Sequence, residues 1–95
     1  MTDEQVKILH DAVVTYGKTA QVDKAIEEMS ELTKALLKER HNAGSVEHIA
    51  EEMADVFIMI AQLILVYNND EAFDEQVDHK IKRLQRRLKQ KEELK

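Results

Sequence analysis

Residues 56–66, VFIMIAQLILV, decide the fold of this chain because they are apolar on every side of a helix apart from Gln62. A helix that is hydrophobic all round must be buried all round. A membrane-spanning helix needs about 20 apolar residues, so we interpret this shorter run as the core of a helical protein. Because a small four-helix bundle cannot cover every face of one of its own helices, we expect a homo-oligomer with this third helix at the interface.

The composition of the chain also favours helices. Its 95 residues include no Pro and two Gly, whereas β-sandwiches and barrels need turn residues about every 8–12 positions. With 43% apolar and 35% charged residues, the chain is too hydrophobic for a disordered protein and too charged for a membrane protein. The absence of Cys fits a reducing compartment, and we expect a cytoplasmic protein.

Apolar residues at helical spacing, together with capping signals, predict an all-α fold of four helices. Thr2 and Gln5 form a candidate capping box for the first helix, and Thr19 and Ser45 are candidate caps for the second and third. Short connections predict antiparallel neighbours in a compact up-and-down bundle that forms a single domain. The predicted helices cover about residues 3–16, 20–42, 46–67 and 71–93.

The charge of the chain is distributed unevenly. The net charge is −5, but residues 79–95 carry eight basic and two acidic side chains, whereas residues 1–78 carry six basic and seventeen acidic ones. Lys80, Arg83 and Arg87 share one face of the last helix and are candidates for binding phosphate, the alternative being a solvated basic face. No nucleic-acid partner is expected, because aromatic residues and a recognition motif are missing from this segment.

Two acid-x-x-acid pairs, Glu28/Glu31 and Glu52/Asp55, border the apolar stripes of the second and third predicted helices. Antiparallel packing can bring the pairs together, and buried carboxylates need compensating cations or donors. Four oxygen ligands without His or Cys describe a Mg²⁺ or Mn²⁺ site. The alternative is that the acids are solvated, as we expect for those of the last helix, namely Glu71, Asp74, Glu75 and Asp78.

The order of these acids resembles a known family signature. Glu27-Glu28-x-x-Glu31 followed by Glu52-x-x-Asp55 is similar to the E-E-x-x-E and E-x-x-D motifs of the MazG-like all-α nucleoside triphosphate pyrophosphohydrolases. The similarity covers about residues 20–88. It includes the segments KAIEEMSELTKAL (24–36) and HIAEEMADVFIMIAQL (48–63) and a basic K-x-x-R segment that begins at residue 80.

The resemblance implies an enzyme that cleaves a nucleotide between its α and β phosphates, with Mg²⁺ as cofactor and Mn²⁺ as a substitute. It implies a homodimer or a homotetramer, with a nucleotide as the other partner and no membrane association. Glu27 is a candidate for the base that orients water, and Met59 is a candidate for lining the base pocket. The implied metal ligands are Glu28, Glu31, Glu52 and Asp55, and the substrate-binding residues are Lys80 and Arg83.

Two alternative functions remain open. The related phosphoribosyl-ATP pyrophosphohydrolases share the acids but usually continue with an aromatic-His pair, where this chain has Val56-Phe57-Ile58-Met59. A non-catalytic helical interaction module would instead use the apolar stripe of the last helix as a partner-binding face. That stripe consists of Val77, Ile81, Leu84 and Leu88.

Overall fold

The computed structural model describes residues 1–94, which form four α-helices and contain no strand. The helices are α1 (Asp3–Tyr16), α2 (Lys18–Arg40), α3 (Val46–Tyr67) and α4 (Asp70–Glu93). The prediction of an all-helical fold with four helices is confirmed. The bounds of α1 and α3 agree with the prediction, whereas α2 is displaced towards the N-terminus from 20–42 to 18–40 and α4 begins at 70 rather than 71.

Local hydrogen bonds explain why α1 and α3 begin where the sequence predicts. The backbone N–H of Gln5 donates to Thr2 Oγ1 at 3.1 Å, and the Thr2 N–H donates to Gln5 Oε1 at 2.9 Å, which completes the capping box. Ser45 Oγ accepts from the backbone N–H of His48 at 3.1 Å. Both caps satisfy N–H groups that have no partner within the helix.

A single residue, Gly17, separates α1 from α2. Its φ of 84° lies in the region that Gly adopts without the steric cost of a Cβ, and its N–H donates to the carbonyl of Val13 at 2.9 Å. Because α2 starts at Lys18, Thr19 lies in its first turn, and the start of α2 has no side-chain cap. The prediction that Thr19 caps the second helix is therefore wrong.

The α2–α3 pair forms the centre of the fold, and α1 packs against both helices. Lys18 at the start of α2 lies over the Tyr67 ring at the end of α3, with Nζ 5.0 Å from the ring centroid, so the two helices run antiparallel. Small side chains at the α2–α3 contact allow a close approach. The buried apolar residues are Leu9, Ala25, Ala35 and Met59.

The fourth helix extends away from the other three. Within residues 1–94 it contacts only α3, and none of its residues is buried. The radius of gyration is 16.9 Å, whereas a compact domain of this length has about 12 Å. The prediction of a compact bundle is thus wrong, because the short turn at Asn68, where φ is 50°, directs α4 away from α1 and α2.

The apolar third helix is only partly covered within one chain. Met59 and Gln62 are buried, but Phe57, Ile58 and Ile60 are 61%, 40% and 38% exposed. The expectation that α3 is buried all round is therefore not met by a single copy. None of the helices in the described range combines the length and the apolar character that a membrane span requires.

Candidate metal centre and adjoining cavity

Three of the four predicted metal ligands lie together where α2 passes α3. One carboxylate oxygen from each of Glu28, Glu52 and Asp55 lies within 4.8 Å of the other two, and we call these residues the carboxylate cluster. The side chains of Glu28 and Glu52 are only 13% and 14% exposed. Carboxylates this close repel one another, so the arrangement favours binding of a cation.

Glu52 provides the strongest indication of a cation-binding site. Its Oε2 is buried and makes no hydrogen bond within residues 1–94. Leaving a buried polar atom without a partner costs about 1–3 kcal/mol, and more when the group is charged. A divalent cation at the cluster would satisfy this oxygen, and the all-oxygen donor set suits Mg²⁺ or Mn²⁺.

Two basic residues lie beside the cluster, Lys24 on α2 and His48 on α3. Lys24 Nζ lies 3.2 Å from Glu28 Oε1 and 3.6 Å from Glu27 Oε1, and His48 Nε2 lies 3.7 Å from Glu52 Oε1. The hydrogen bond to Glu28 and the charge of Glu27 raise the pKa of Lys24 above its ordinary value. Lys24 therefore remains charged at neutral pH and competes with a metal ion for Glu28.

The structure does not bring the other two candidate acids of α2, Glu27 and Glu31, into the cluster. Glu31, predicted as a ligand, is outside the group of three, and its Oε1 lies 3.3 Å from Lys34 Nζ. Glu27, the candidate base, has a 60% exposed side chain that pairs with Lys24. The roles of Glu27 and Glu31 stay predictions.

The predicted phosphate-binding residues Lys80 and Arg83 are exposed on α4. Since α4 contacts only α3 among the described helices, and the carboxylate cluster is formed by α2 and α3, one copy of the chain does not bring Lys80 and Arg83 into the cluster. The acids of α4 that we expected to be solvated are exposed, which confirms that expectation. They are Glu71, Asp74, Glu75 and Asp78.

A cavity of about 410 Å³ lies between α1, α2 and α3, and Lys24 connects it to the carboxylate cluster because it both lines the cavity and contacts Glu28. We call it the amide cavity because the amides of Gln21 and Gln62 line it, and both residues are more than nine-tenths buried. Met59, the candidate for lining a base pocket, is one of its lining residues. The remaining lining residues are Ala12, Tyr16, Ala20 and Lys24.

Sequence reasoning missed the roles of Gln21, Lys24 and His48. The i, i+4 spacing of Lys24 to Glu28 and of His48 to Glu52 was a usable signal, because such pairs face each other on a helix. Gln62 was visible as the one polar residue of the apolar run. Gln21 carried no comparable signal, because its burial depends on α1 packing over α2.

Replacing Lys24 by Met is expected to tighten Mg²⁺ binding several-fold, because the substitution removes the cation that competes for Glu28. Isothermal titration calorimetry with Mg²⁺ measures the change. Lys34→Met is the matched control, since Lys34 pairs with Glu31 outside the cluster. Equal tightening by both variants would contradict the three-residue site and place Glu31 with the metal.

Fold and site together define an all-helical protein with a carboxylate cluster between two antiparallel helices. No protein-family model, curated protein or solved structure matches the chain.

Proposed function

We propose that the chain is a Mg²⁺-dependent nucleoside triphosphate pyrophosphohydrolase of the MazG-like all-α class. The products are a nucleoside monophosphate and pyrophosphate. The observation that carries this proposal is the buried Glu52 Oε2, which makes no hydrogen bond within residues 1–94, because a buried carboxylate oxygen beside two other carboxylates is well placed to bind a cation. The reaction itself, cleavage between the α and β phosphates, is inferred from the motif resemblance.

The cluster residues fit Mg²⁺ through their oxygen donors, with Glu28, Glu52 and Asp55 holding the ion. When bound, Mg²⁺ supplies positive charge for the phosphates and a lowered pKa for the attacking water. In the reaction, the water oxygen forms a bond to the α-phosphorus while the bond from that phosphorus to the bridging oxygen breaks. Glu27 accepts the proton of the water, and pyrophosphate departs with the electron pair of the broken bond.

Lys24 connects the metal centre to the substrate in this proposal. It contacts Glu28 and also lines the amide cavity. Once a cation neutralises Glu28, the ammonium group of Lys24 is available to donate to a phosphate oxygen. The same residue thus stabilises the metal-free site and binds the substrate of the loaded one.

A panel of nucleoside triphosphates tests the proposal. The chain is incubated with each canonical ribo- and deoxyribonucleoside triphosphate and Mg²⁺, and monophosphate and pyrophosphate are quantified by ion-exchange chromatography. We expect equimolar release of the two products from at least one nucleotide, and none in EDTA. Release of inorganic phosphate instead, or no Mg²⁺-dependent release from any member, would overturn the assignment.

Lys80 and Arg83 are predicted to bind the outer phosphates, and their exposure on α4 suits donation from one copy of the chain to the site of another. Replacing both by Ala is expected to raise KM for the triphosphate about tenfold and to change kcat less, because the two donors bind phosphate without entering the reacting bonds. Steady-state kinetics separates the two effects. Unchanged KM would assign both residues to a solvated face.

A cytoplasmic homodimer or homotetramer is part of the same proposal. α1 and α3 enclose a largely apolar groove of about 510 Å³, and single chains rarely leave large apolar patches open to water. The occupant we propose is a second copy, because the acidic body and the basic last helix of this chain have complementary charges. The groove is lined by Met1, Gln5, Ile8, Leu9, Met53, Ala54, Phe57 and Ile58.

The interaction module remains the second candidate, because one observation favours it. The apolar stripe of α4 is solvent-exposed along its length, with Ile81 61% and Leu84 54% exposed. An exposed stripe at helical spacing is typical of a helix that packs against a partner. The nucleotide panel discriminates the two functions, since an interaction module needs neither Mg²⁺ nor an intact carboxylate cluster.

A further inference from the structure

Gln62 is a buried polar group for which the fold provides no partner. It is 7% exposed, and its side chain makes no hydrogen bond with residues 1–94. It lines the amide cavity, and its amide nitrogen and oxygen keep some exposure there. Buried amides in native proteins are hydrogen-bonded, so an amide held open to a cavity points to a ligand with matching groups.

Gln21 adds an oriented acceptor to the same cavity. Its Nε2 donates to the backbone carbonyl of Ala12 at 3.3 Å, which fixes the amide, and no donor among residues 1–94 bonds its Oε1. The cavity therefore offers acceptor oxygens from Gln21 and Gln62 and the N–H donors of Gln62. A ligand that fits has an amino group next to a ring acceptor.

The position of the cavity links it to the metal centre. Met59 and Gln62 follow Asp55 on α3 by one and two turns, which corresponds to about 6 Å and 10 Å along the helix. A pentose can bridge this separation between a phosphate at the cluster and a ring in the cavity. Tyr16 and Met59 provide an aromatic ring and a polarizable thioether as walls for a flat ring.

We propose that the amide cavity binds the nucleobase of the substrate and that Gln62, with Gln21, selects bases that carry an exocyclic amino group. Adenine, cytosine and guanine present such a group beside a ring acceptor nitrogen, and its two hydrogens match the two acceptor oxygens of the cavity, whereas uracil and thymine offer only a single ring N–H. A Gln amide recognises adenine through a paired donor and acceptor in the same way. This inference rests on the proposed function, because it identifies the ligand as a nucleotide.

Binding of monophosphates tests base selection without hydrolysis. AMP, CMP, GMP, UMP and ribose 5-phosphate are titrated in Mg²⁺ against the intact chain, and affinities are measured by NMR chemical-shift changes. We expect at least one amino-bearing nucleotide to bind about tenfold or more tightly than UMP and ribose 5-phosphate. Equal affinity for all five probes, including the absence of measurable binding, would overturn the proposal.

Two variants test whether the base preference arises from Gln62 and the amide cavity. Gln62→Met conserves volume, and loss of an unpartnered amide does not destabilise the fold, so its helicity and melting temperature are expected to stay at or above those of the parent. It should abolish the preference for amino-bearing bases. Ala20→Phe places a large side chain at the exposed rim of the cavity, and it should weaken all base-bearing probes while leaving ribose 5-phosphate unchanged. Retained preference in both variants would contradict the assignment.

The same samples separate failure of this inference from failure of the proposed function. Pyrophosphate release from triphosphates together with equal affinity for the five probes would reject base selection while the hydrolase stands. Base preference that depends on Gln62, without Mg²⁺-dependent release from any triphosphate, would reject the hydrolase and leave a nucleotide-binding protein. Loss of both signals would reject both.

Discussion

Glu52→Gln is expected to lower Mg²⁺-dependent pyrophosphate release by at least about 100-fold, the effect of removing one preorganised charged group from an active site. Glu52 contributes the buried Oε2 that makes no hydrogen bond within residues 1–94, so its replacement by a neutral amide removes both negative charge and a ligand oxygen. Initial rates at saturating triphosphate and several Mg²⁺ concentrations measure the loss. Glu28→Gln and Asp55→Asn should behave alike.

Glu51→Gln is the matched control for this prediction. The residue adjoins Glu52, and its Oε2 lies 3.8 Å from Nδ1 of the same His48, but its side chain is 77% exposed. Activity of this variant should stay close to that of the parent chain. Comparable losses at residues 51 and 52 would show that general negative charge, rather than a metal site, supports the reaction.

Replacing a carboxylate of the cluster is expected to lower activity without lowering thermal stability in the absence of metal. Without metal, Glu52→Gln relieves repulsion from Glu28 and Asp55, so the melting temperature in EDTA should stay the same or rise. Addition of Mg²⁺ should then stabilise the parent chain but not the variant, because a ligand stabilises only the state that binds it. Thermal melts with and without Mg²⁺ measure both effects. A variant that simply unfolds would show neither pattern.

Phe57→Asp is expected to convert the proposed oligomer to a monomer. Phe57 lines the apolar groove between α1 and α3 and is 61% exposed in a single chain, so the aspartate is solvated in the monomer and buried only at the interface. Loss of a buried Phe weakens association by about 1.5–3 kcal/mol, and burying an unpaired charge adds to that cost. Sedimentation velocity over a concentration series measures the change in mass.

Val14→Asp provides the control for the interface. Val14 is an exposed apolar residue of α1, 70% exposed and outside the groove, so it receives the same chemical change on a different surface. Its mass distribution should match that of the parent chain. A parent chain that sediments as a monomer at every concentration would exclude the oligomer. Far-UV circular dichroism verifies that both variants remain helical.

Interactions between residues close in sequence made much of the fold predictable. The capping box at Thr2 and the cap at Ser45 involve neighbours three residues apart, and helical spacing of apolar residues reports which face is buried. The start of α2 escaped prediction because Gly17 both ends one helix and begins the next, which no capping side chain announces. Local signals therefore specified helices more reliably than their junctions.

The candidate site was also predictable only in part from the sequence. The sequence by itself determined the four helices and indicated Glu28, Glu52 and Asp55 as candidate metal ligands. Helical periodicity places acids at i and i+3 on one face whatever their surroundings. Only the tertiary structure decided that Glu31 lies outside the cluster, since the register and crossing of α2 on α3 determine which side chains meet.

Long-range packing also decided the amide cavity, whereas a local backbone conformation sets the placement of α4. Burial of Gln21 and Gln62 requires three helices to converge, and the direction of α4 depends on the backbone conformation of Asn68. Hydrogen bonds within a helix and its hydrophobic periodicity are short-range properties that a sequence displays directly. The faces that pack together, and the polar groups left open between them, depend on contacts between residues distant in the chain.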